Sequence, residues 1–432
     1  MARRVLVIGG GAAGMMAAIT AAEQGAHVIV LEPNERLGKK LNITGKGRCN
    51  LTNRTDLNNI LAHTPRNGKF LYSALSGFGP EDVIAFFEGL GVKLKTERGN
   101  RVFPVSDRAF DISAALERRM KVLKVNWIQD RAINIITDRI DKIDIIDKID
   151  KKEKFSRYVT GVQGENKFYA ADAVILATGG VSYPATGSTG EGHYMARKLG
   201  HEITPLSGSL VPLCEKGNTC ARMQGLSLRN INLIAWETRD GKNIKKIFEG
   251  FGELLFTHFG VSGPLILTAS AYMNDFEKNI YKLEIDLKPA LDEAELDRRL
   301  IADFKKYANR DYLNALDDLL PKKLIPVFVE ISGIPEDLKM RDLTRIQRRK
   351  ILELCKRFEI IIAGPRPITE AVVTRGGVRV SELNPATMES RLIKNLYMAG
   401  EIIDVDARTG GFNLQIAWST GRTAGIAAAR EK

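Results

Sequence analysis

Short apolar runs alternate with glycine-rich and small-residue segments at the start of the chain. Residues 5–8 form an apolar run that leads into the motif Gly9-x-Gly11-x-x-Gly14, and small residues recur over positions 17–22. A second apolar run, residues 27–31, ends at an acidic residue. Continuous apolar runs of this length are typical of strands buried in a parallel sheet. The pattern therefore predicts a strand–turn–helix–strand unit.

The glycine spacing gives this unit a candidate chemistry. Gly9 permits a tight turn, Gly11 lets the backbone approach a pyrophosphate, and Gly14 lets the helix pack closely on the strand. Glu32 lies 23 residues after Gly9, close to the spacing of about 20 residues for a carboxylate that binds an adenosine ribose. A purely structural glycine turn would not need Glu32. The unit predicts a dinucleotide site.

Two further segments repeat the junction of an apolar strand with glycine. The run at 173–177 ends at Thr178 and Gly179, and the run at 395–399 ends at Gly400. The second is followed by a glycine-rich turn and a helix whose N-terminus can stabilise negative charge on a reduced flavin. Three such junctions favour FAD over NAD as the resident cofactor. With no second GxGxxG motif, NADH or NADPH is expected only as a transient electron donor.

Each segment is expected to bind a different part of the cofactor. Thr178 and Gly179 are expected at the nucleotide half. The ribityl chain and the flavin pyrimidine edge are assigned to the C-terminal segment, through Gly400, Glu401, Asp404, Gly411, Phe412 and Asn413.

The middle of the chain changes character twice. Short alternating stretches from 205 to 287 predict a small β-barrel, and helical periodicity from 288 to 358 predicts a helical insert. The fold class is therefore α/β: a two-part Rossmann-like FAD-binding domain, 1–204 and 359–432, that carries both inserts. The near-repetitive residues 141–152 are interpreted as a charged insertion without chemistry.

Composition fits a soluble, cytoplasmic enzyme without a membrane partner. No apolar run approaches the roughly 18 residues of a membrane span, and the four cysteines form no zinc pattern. The net charge of +12 is less ordinary, because it is clustered: residues 39–70 hold seven Lys or Arg against one acid. Such clusters predict either a polyanion partner or a solvated basic surface. A second cluster, residues 93–124, holds nine Lys or Arg against four acids. In a third cluster, Arg345, Arg348 and Arg349 are candidate RNA contacts on a predicted helix.

Longer blocks carry a family resemblance. They are residues 38–53 (GKKLNITGKGRCNLTN), 101–107 (RVFPVSD), 177–187 (ATGGVSYPATG), 252–264 (GELLFTHFGVSGP) and 387–390 (TMES). With the two terminal segments, the chain resembles bacterial NAD(P)/FAD-dependent oxidoreductases related to aminoacetone oxidase, bile-acid reductase and ribosomal RNA dihydrouridine synthase. The resemblance implies an FAD domain with an inserted barrel and a helical domain.

The resemblance leaves the substrate open. When a C=C bond is conjugated to a carbonyl group, a reduced flavin transfers hydride to the β-carbon and an acid protonates the α-carbon. The same arrangement of active-site groups can therefore reduce both uracil and an enone. The basic clusters favour the uridine of large-subunit ribosomal RNA as substrate. A small-molecule enone reductase and an aminoacetone-type amine oxidase are the alternatives.

The remaining candidate residues lie in the same blocks. Lys40, Thr44, Gly45 and Arg48 are expected beside the pyrophosphate or the isoalloxazine, although Lys40 and Arg48 could instead serve the surface or RNA. Three residues are candidates for substrate protonation or carbonyl binding: Cys49, His258 and Ser262. Each has a structural alternative, namely a small buried hydrophobe for Cys49, a satisfied structural histidine for His258 and a turn residue for Ser262.

Overall fold

The computed structural model describes residues 2–139, 155–239 and 242–430. They form two compact units: the first comprises the chain up to Ser209 and from Ile368 onward, and the second is Leu210–Pro367. The predicted charged insertion at 141–152 lies outside the described residues. Among the described helices, none has the length and apolar character required to cross a bilayer.

A parallel sheet of five strands organises the first unit. Its order is Leu396–Met398, Ala173–Leu176, Arg4–Ile8, His27–Leu31 and Asn126–Ile128. All four pairings are parallel, and the central strands are buried on both faces. Parallel strands share one carboxyl edge, so the three predicted glycine junctions meet at that edge. The α/β prediction is confirmed.

Two helices pack closely over this sheet, Ala12–Glu23 and the C-terminal helix Phe412–Ala429. Their contact relies on small residues. A Cβ on Gly421 would lie 2.4 Å from the Ala13 carbonyl oxygen, and one on Gly425 would lie 2.5 Å from the Ala17 carbonyl oxygen. The helices approach to a distance that only glycine allows at these positions.

Smaller elements complete the first unit. The other strands are Thr52–Asn53, Leu94–Glu97, Arg101–Pro104, Ala132–Arg139, Arg157–Gly164, Phe168–Ala170, Ser207–Ser209, Val373–Arg375 and Ile393–Lys394. The other helices of six or more residues are Leu57–Ala62, Tyr72–Gly77, Pro80–Gly89, Ala109–Val122 and Glu191–Lys198 in the described part of the unit.

The second unit contains a closed β-barrel. Its strands, in order around the barrel, are Leu213–Glu215, Gly260–Ser262, Lys242–Thr257, Ser227–Arg239, Ile280–Asp286 and Phe358–Pro365. The described helices of this unit are Thr219–Arg222, Pro264–Ser270, Glu293–Lys306, Tyr312–Ala315, Ile325–Ser332 and Arg345–Lys356.

Two boundaries differ from the sequence-based ones at 287/288 and 358/359. Barrel residues such as Leu233 share one buried core with helical residues such as Leu296 and Phe328, so barrel and helices form one unit. The strand Phe358–Pro365, assigned from sequence to the second part of the FAD domain, pairs with Ile280–Asp286 in the barrel. An apolar strand pattern does not reveal which sheet the strand joins.

Candidate cofactor site

The glycine turn has the geometry that its spacing predicts. Gly9 has φ +104°, and a Cβ there would lie 2.5 Å from the Ala177 carbonyl oxygen. A Cβ on Gly14 would lie 1.9 Å from the Gly9 carbonyl oxygen. At Gly11, by contrast, the space that a Cβ would occupy is open. Gly11 precedes the helix Ala12–Glu23, whose first amides have no partner within the helix, so the turn has both room and donors for a pyrophosphate.

Glu32 is buried and held by the same turn. Its Oε2 accepts a hydrogen bond from the Gly10 amide at 2.7 Å, and its Oε1 accepts bonds from the backbone and side-chain nitrogens of Asn34 at 3.0 and 2.6 Å. Ionised carboxylate oxygens offer about four acceptor positions in total. The three bonds therefore orient Glu32 and still leave acceptor capacity for a ribose hydroxyl, and the ribose role stays a prediction.

Lys40 and Glu401 form the polar centre of the site. The Lys40 ammonium lies 2.8 Å from Glu401 Oε2 and 2.8 Å from the Ser182 hydroxyl. Ser182 donates to Glu401 Oε1 at 2.9 Å, and the Thr374 amide donates to the same oxygen at 2.8 Å. Burial works against ionisation of Glu401, but the Lys40 charge and these donors outweigh it, and its pKa lies below the ordinary value. Lys40 is thus paired with a carboxylate within the protein.

The start of the C-terminal helix is fixed by the segment around residue 52. Gly411 has φ +100°, and a Cβ there would lie 2.4 Å from the Thr52 carbonyl oxygen. The Thr52 hydroxyl bonds Gln415 at 2.5 Å, and the Phe412 ring stacks on His63 with centroids 4.8 Å apart. The helix N-terminus is therefore held rigidly at the edge where the strands end.

Asp404 and Asn413 are engaged with neighbouring protein groups. Asp404 is buried and accepts from Arg66 at 2.5 Å and from Asn67 at 3.2 Å. The Asn413 amide pairs with both backbone groups of Ala407, at 2.9 and 2.8 Å. Their side chains shape the loop before the helix. These bonds leave acceptor capacity on both side chains, and their direct contact with the cofactor stays a prediction.

Arg48 is also used within the protein. Its guanidinium pairs with Glu97 and Asp107, and it lies 4.2 Å from the centroid of the Phe103 ring. Two carboxylates hold the cation at the three-stranded sheet, which favours the alternative role of Arg48 at the surface; its contact with the pyrophosphate or isoalloxazine stays a prediction. Its position in a glycine-rich block could not reveal these distant partners.

Thr44, Gly45 and Cys49 belong to one tight loop. The Thr44 hydroxyl donates to the Leu41 carbonyl at 2.7 Å, and both Gly45 and Cys49 have φ +58°. Cys49 is fully buried, and burial raises the pKa of its thiol to about 12. A substrate cannot reach this thiol in the structure. Burial favours the alternative for Cys49, a small buried side chain, over the predicted proton-donor role.

Two buried polar atoms without a protein partner test whether FAD fits here. They are Thr178 Oγ1 and Asn50 Oδ1; Asn50 Oδ1 lies 3.0 Å from where a Cβ on Gly411 would stand. Gly179 has φ +75° and follows Thr178 at the strand end. Buried polar atoms are normally satisfied, so these two atoms call for a polar ligand. Together with the open space at Gly11, they fit a dinucleotide whose hydroxyls and phosphates face the protein.

The other two catalytic candidates belong to the second unit. His258 lies in the turn between Lys242–Thr257 and Gly260–Ser262; its ring is exposed and meets Phe259 edge to face. Ser262 ends the latter strand, opposite Leu255 in the barrel. Their roles stay predictions.

The predicted basic helix exists as Arg345–Lys356 and begins with a capping box from Thr344. Arg348 lies 2.8 Å from Asp297 and Arg349 lies 3.0 Å from Glu293, so both are paired within the unit. Arg345 is exposed and has no ion pair among the described residues. Acids on Glu293–Lys306 hold two of the three predicted RNA-contact arginines, and the contact itself stays a prediction.

A family model described as the HI0933-like protein Rossmann domain matches residues 3–427. The chain belongs to this family. Its members are FAD-dependent oxidoreductases, in agreement with the cofactor site described above.

Relatives and one solved structure extend this assignment. The chain is 32% identical to a 3-dehydro-bile acid delta(4,6)-reductase of Clostridium scindens over 99% of each chain. It is 29% identical to a ribosomal RNA dihydrouridine synthase of Haemophilus influenzae over 99% of this chain and 98% of the relative. Among solved structures, 3-ketosteroid delta1-dehydrogenase of Sterolibacterium denitrificans matches with a TM-score of 0.51 and 14% identity, covering 98% of this chain and 99% of that one. This likeness shows a shared fold.

Sequence reasoning missed Thr374 and Ser182. The Thr374 hydroxyl accepts from the Val181 and Ser182 amides at 2.8 and 3.1 Å, while its own amide binds Glu401. A signal was present, because Thr374 follows the apolar pair 372–373 and precedes Gly376 and Gly377. This is a fourth junction of a strand with glycine.

Proposed function

We propose that this enzyme reduces a C=C bond conjugated to a carbonyl group, and that its substrate is a uridine of large-subunit ribosomal RNA, which becomes dihydrouridine. The observation that carries the proposal is the match over nearly the whole chain to relatives of two names, a bile-acid reductase and ribosomal RNA dihydrouridine synthases. Reduction of a double bond next to a carbonyl group is common to both named activities.

The residues of the first unit would hold the cofactor as follows. The turn at Gly11 and the helix that follows it would bind the pyrophosphate, and Glu32 would bind the adenosine ribose. Lys40 and Glu401 would set the charge beside the ribityl chain, and the fixed N-terminus of the C-terminal helix would favour negative charge nearby. Bound FAD, once reduced by NADH or NADPH, supplies the hydride that the substrate accepts.

The charge of the chain supports RNA as the substrate. A net charge of +12 exceeds what a small neutral substrate needs, and cations that have no internal partner are available for phosphates. Affinity for RNA would then fall as salt is added.

A small-molecule enone reductase is the second candidate. It is favoured by the relative named as a bile-acid reductase, and by the internal pairing of Arg348 and Arg349, which removes two cations from the predicted RNA surface.

Deletion of the gene in its host decides between the two candidates. Dihydrouridine in purified large-subunit rRNA is measured by mass spectrometry. Loss of one dihydrouridine, restored by the wild-type gene, is the expected result. An unchanged content, in a host whose rRNA carries the modification, would reject the RNA substrate and favour the enone.

The purified enzyme gives a second measurement. The protein reduced with NADPH under anaerobic conditions is mixed with an unmodified large-subunit rRNA transcript or with a 3-oxo-Δ4 steroid, and reoxidation of the flavin is followed by absorbance. Reoxidation by the transcript, with one dihydrouridine formed per flavin, is expected.

A further inference from the structure

A cleft in the first unit is lined by residues to which no cofactor role is assigned above; one of them, Leu37, packs beside Gly10 of the glycine turn. The cleft is open, has a volume of about 500 Å³, and runs between the helix Ala109–Val122 and Asn126–Ile128, the edge strand of the parallel sheet. Leu37 and Met120 are apolar lining residues, and Trp127 lies on the strand side. The volume is in the range that holds a small organic group.

Trp127 presents an accessible indole in this cleft. Its exposed fraction is 37%, whereas Trp418 is fully buried. The third tryptophan, Trp236, belongs to the barrel and donates its indole N–H to Glu284 at 2.9 Å. An accessible indole face can stack on a nucleobase of any type, which contributes about 1–3 kcal/mol per base in single-strand binding proteins.

Basic residues cluster at the end of the helix that borders the cleft. Lys121 and Lys124 line it, and Arg118 is exposed one turn earlier on the helix. None of the three has an ion pair within the described ranges of the chain, whereas the adjacent Arg119 is held by Glu23 at 2.6 Å. Glu117 is the acidic group of the lining, and burial raises its pKa. The local balance is positive, as phosphate contacts require.

The stability of the helix and the protection of the edge strand explain only part of this arrangement. Lysines in the last turn of a helix stabilise the helix dipole, and charges beside an edge strand prevent pairing with another chain. Neither requirement explains an accessible tryptophan that shares a cleft with unpaired cations. Stacking platforms that bind single-stranded nucleic acid combine an aromatic face with such cations.

We propose that this cleft binds single-stranded RNA, with a base stacked on Trp127 and the flanking phosphates at Lys121 and Lys124. It is a docking surface whose lining residues have no assigned cofactor role, and it rests on the proposed function in that the RNA is the substrate that the enzyme reduces. Binding at the cleft would retain an unpaired strand while another of its nucleotides enters the active site.

The test measures binding of a short, fluorescein-labelled oligouridylate to the holoenzyme by fluorescence anisotropy. One variant removes the aromatic face, Trp127→Ala, and Trp127→Phe retains an aromatic face. A second variant, Lys121→Gln with Lys124→Asn, removes both charges; asparagine is chosen because Lys124 has φ +57°, which asparagine tolerates. The matched control removes two exposed lysines elsewhere, Lys245→Gln with Lys305→Gln.

Trp127→Ala should raise the Kd by about 5- to 150-fold, the range of one lost stacking contact, and Trp127→Phe should stay close to wild type. The double lysine variant should lower the salt slope of binding by about 1.4, from two phosphate contacts on a single strand. The control variant should lower the salt slope less than the double lysine variant does. Equal effects of the double lysine variant and the control, or a wild-type Kd for Trp127→Ala, would overturn the cleft assignment.

Dihydrouridine formation on an unmodified rRNA transcript separates this inference from the proposed function. If the wild type forms dihydrouridine, the cleft variants should raise KM for the transcript at constant kcat, and an unchanged KM would reject the cleft alone. If the wild type forms none, the proposed substrate is rejected, and the oligouridylate measurement still decides whether the cleft binds RNA.

Discussion

At the scale of single residues, the cofactor site depends on one ion pair between residues 361 positions apart. The exposed fractions of the Lys40 and Glu401 side chains are 22% and 19%, so neither charge is well solvated. Removing one partner leaves the other charge without compensation in a poorly hydrated place. This makes the pair a sensitive point for both stability and cofactor retention.

Lys40→Met should lower the free energy of unfolding by about 2 kcal/mol, below the 3–5 kcal/mol typical of fully buried pairs, because some solvent remains. It should also weaken FAD retention. Lys40→Met with Glu401→Gln should recover part of the stability, since the uncompensated charge is gone. Chemical denaturation in excess FAD measures the first effect, and flavin content after gel filtration measures the second. A Lys40→Met variant as stable as wild type would contradict the role of the pair.

The burial of Cys49 leaves His258 as the predicted proton donor for the substrate. His258→Asn should leave reduction of the flavin by NADPH unchanged and slow its reoxidation by substrate about 10²- to 10⁴-fold, the usual contribution of a general acid. Cys49→Ala is the matched control and should reoxidise at nearly the wild-type rate. Stopped-flow absorbance measures both half-reactions. A slow Cys49→Ala variant with normal flavin content would restore Cys49 as the donor.

His201 predicts a pH dependence of stability. Its buried ring bridges Glu382 at 2.8 Å and Ser390 at 2.9 Å, and burial lowers its pKa more than Glu382 raises it. The folded protein therefore favours the neutral ring. The stability that depends on this preference is complete above the unfolded pKa of about 6.5 and is lost as the pH falls below it, by at most about 1.4 kcal/mol per pH unit.

Between pH 7 and pH 5, the Tm of wild type should therefore fall more steeply than that of His201→Gln, whose amide can bridge the same two partners. Differential scanning fluorimetry across this range measures the difference. His193→Gln serves as a comparison, because burial also lowers the pKa of His193. Parallel curves for wild type and His201→Gln would exclude the contribution of His201.

Sequence reasoning located the residues of the site better than their partners. The positions of the glycines and Glu32 were predictable because they depend on local spacing; Glu32 follows the strand His27–Leu31 and accepts a hydrogen bond from Gly10 of the turn. The partners of Arg48 and Lys40 were not predictable, because Glu97 and Glu401 reach them only through the tertiary fold. Burial of Cys49 was one of the two alternatives from the sequence, and the tertiary fold decides between them.

At the scale of elements, the packing of Ala12–Glu23 against Phe412–Ala429 depends on glycine. Gly421→Ala should destabilise the protein by about 1–3 kcal/mol, because its Cβ would collide with the Ala13 carbonyl and force the helices apart. Gly89→Ala is the control: it lies at the end of another helix with open space around it, and should be neutral or stabilise by up to about 1 kcal/mol. Tm values measure both, and a neutral Gly421→Ala would show that the helices can separate without cost.

Elements were predicted more reliably than their pairing. The alternating stretches predicted between 205 and 287 include the strands Ser227–Arg239, Lys242–Thr257 and Ile280–Asp286. Residues from 359 onward were assigned from sequence to the FAD domain, yet Phe358–Pro365 is a barrel strand. Closure of the barrel depends on its pairing with Leu213–Glu215, which is far away in the sequence.

At the scale of the whole molecule, the second unit is an insertion whose two ends meet. Leu213 faces Pro365 across neighbouring barrel strands, and the Arg366 amide donates to the Pro212 carbonyl at 2.9 Å. A closed barrel has no free edge strand, and this unit has its own buried core. Both features predict that it can fold without the rest of the chain.

A fragment comprising residues 210–367 should therefore unfold cooperatively and show dispersed amide resonances. Heteronuclear NMR and thermal circular dichroism measure these properties. The same fragment with Leu283→Asp, which places a charge in the barrel core, should be unfolded. A molten fragment of wild-type sequence would mean that the barrel needs the first unit to fold.

Joined ends at the insertion also bear on how such an enzyme can evolve. The flanking chain leaves at Ser209 and returns at Ile368, and paired strands hold the intervening segment together at its base. Additions or losses within that segment leave the spacing of its two attachment points unchanged. New loops and surfaces can therefore arise there by mutation while the geometry of the nucleotide-binding half is inherited intact.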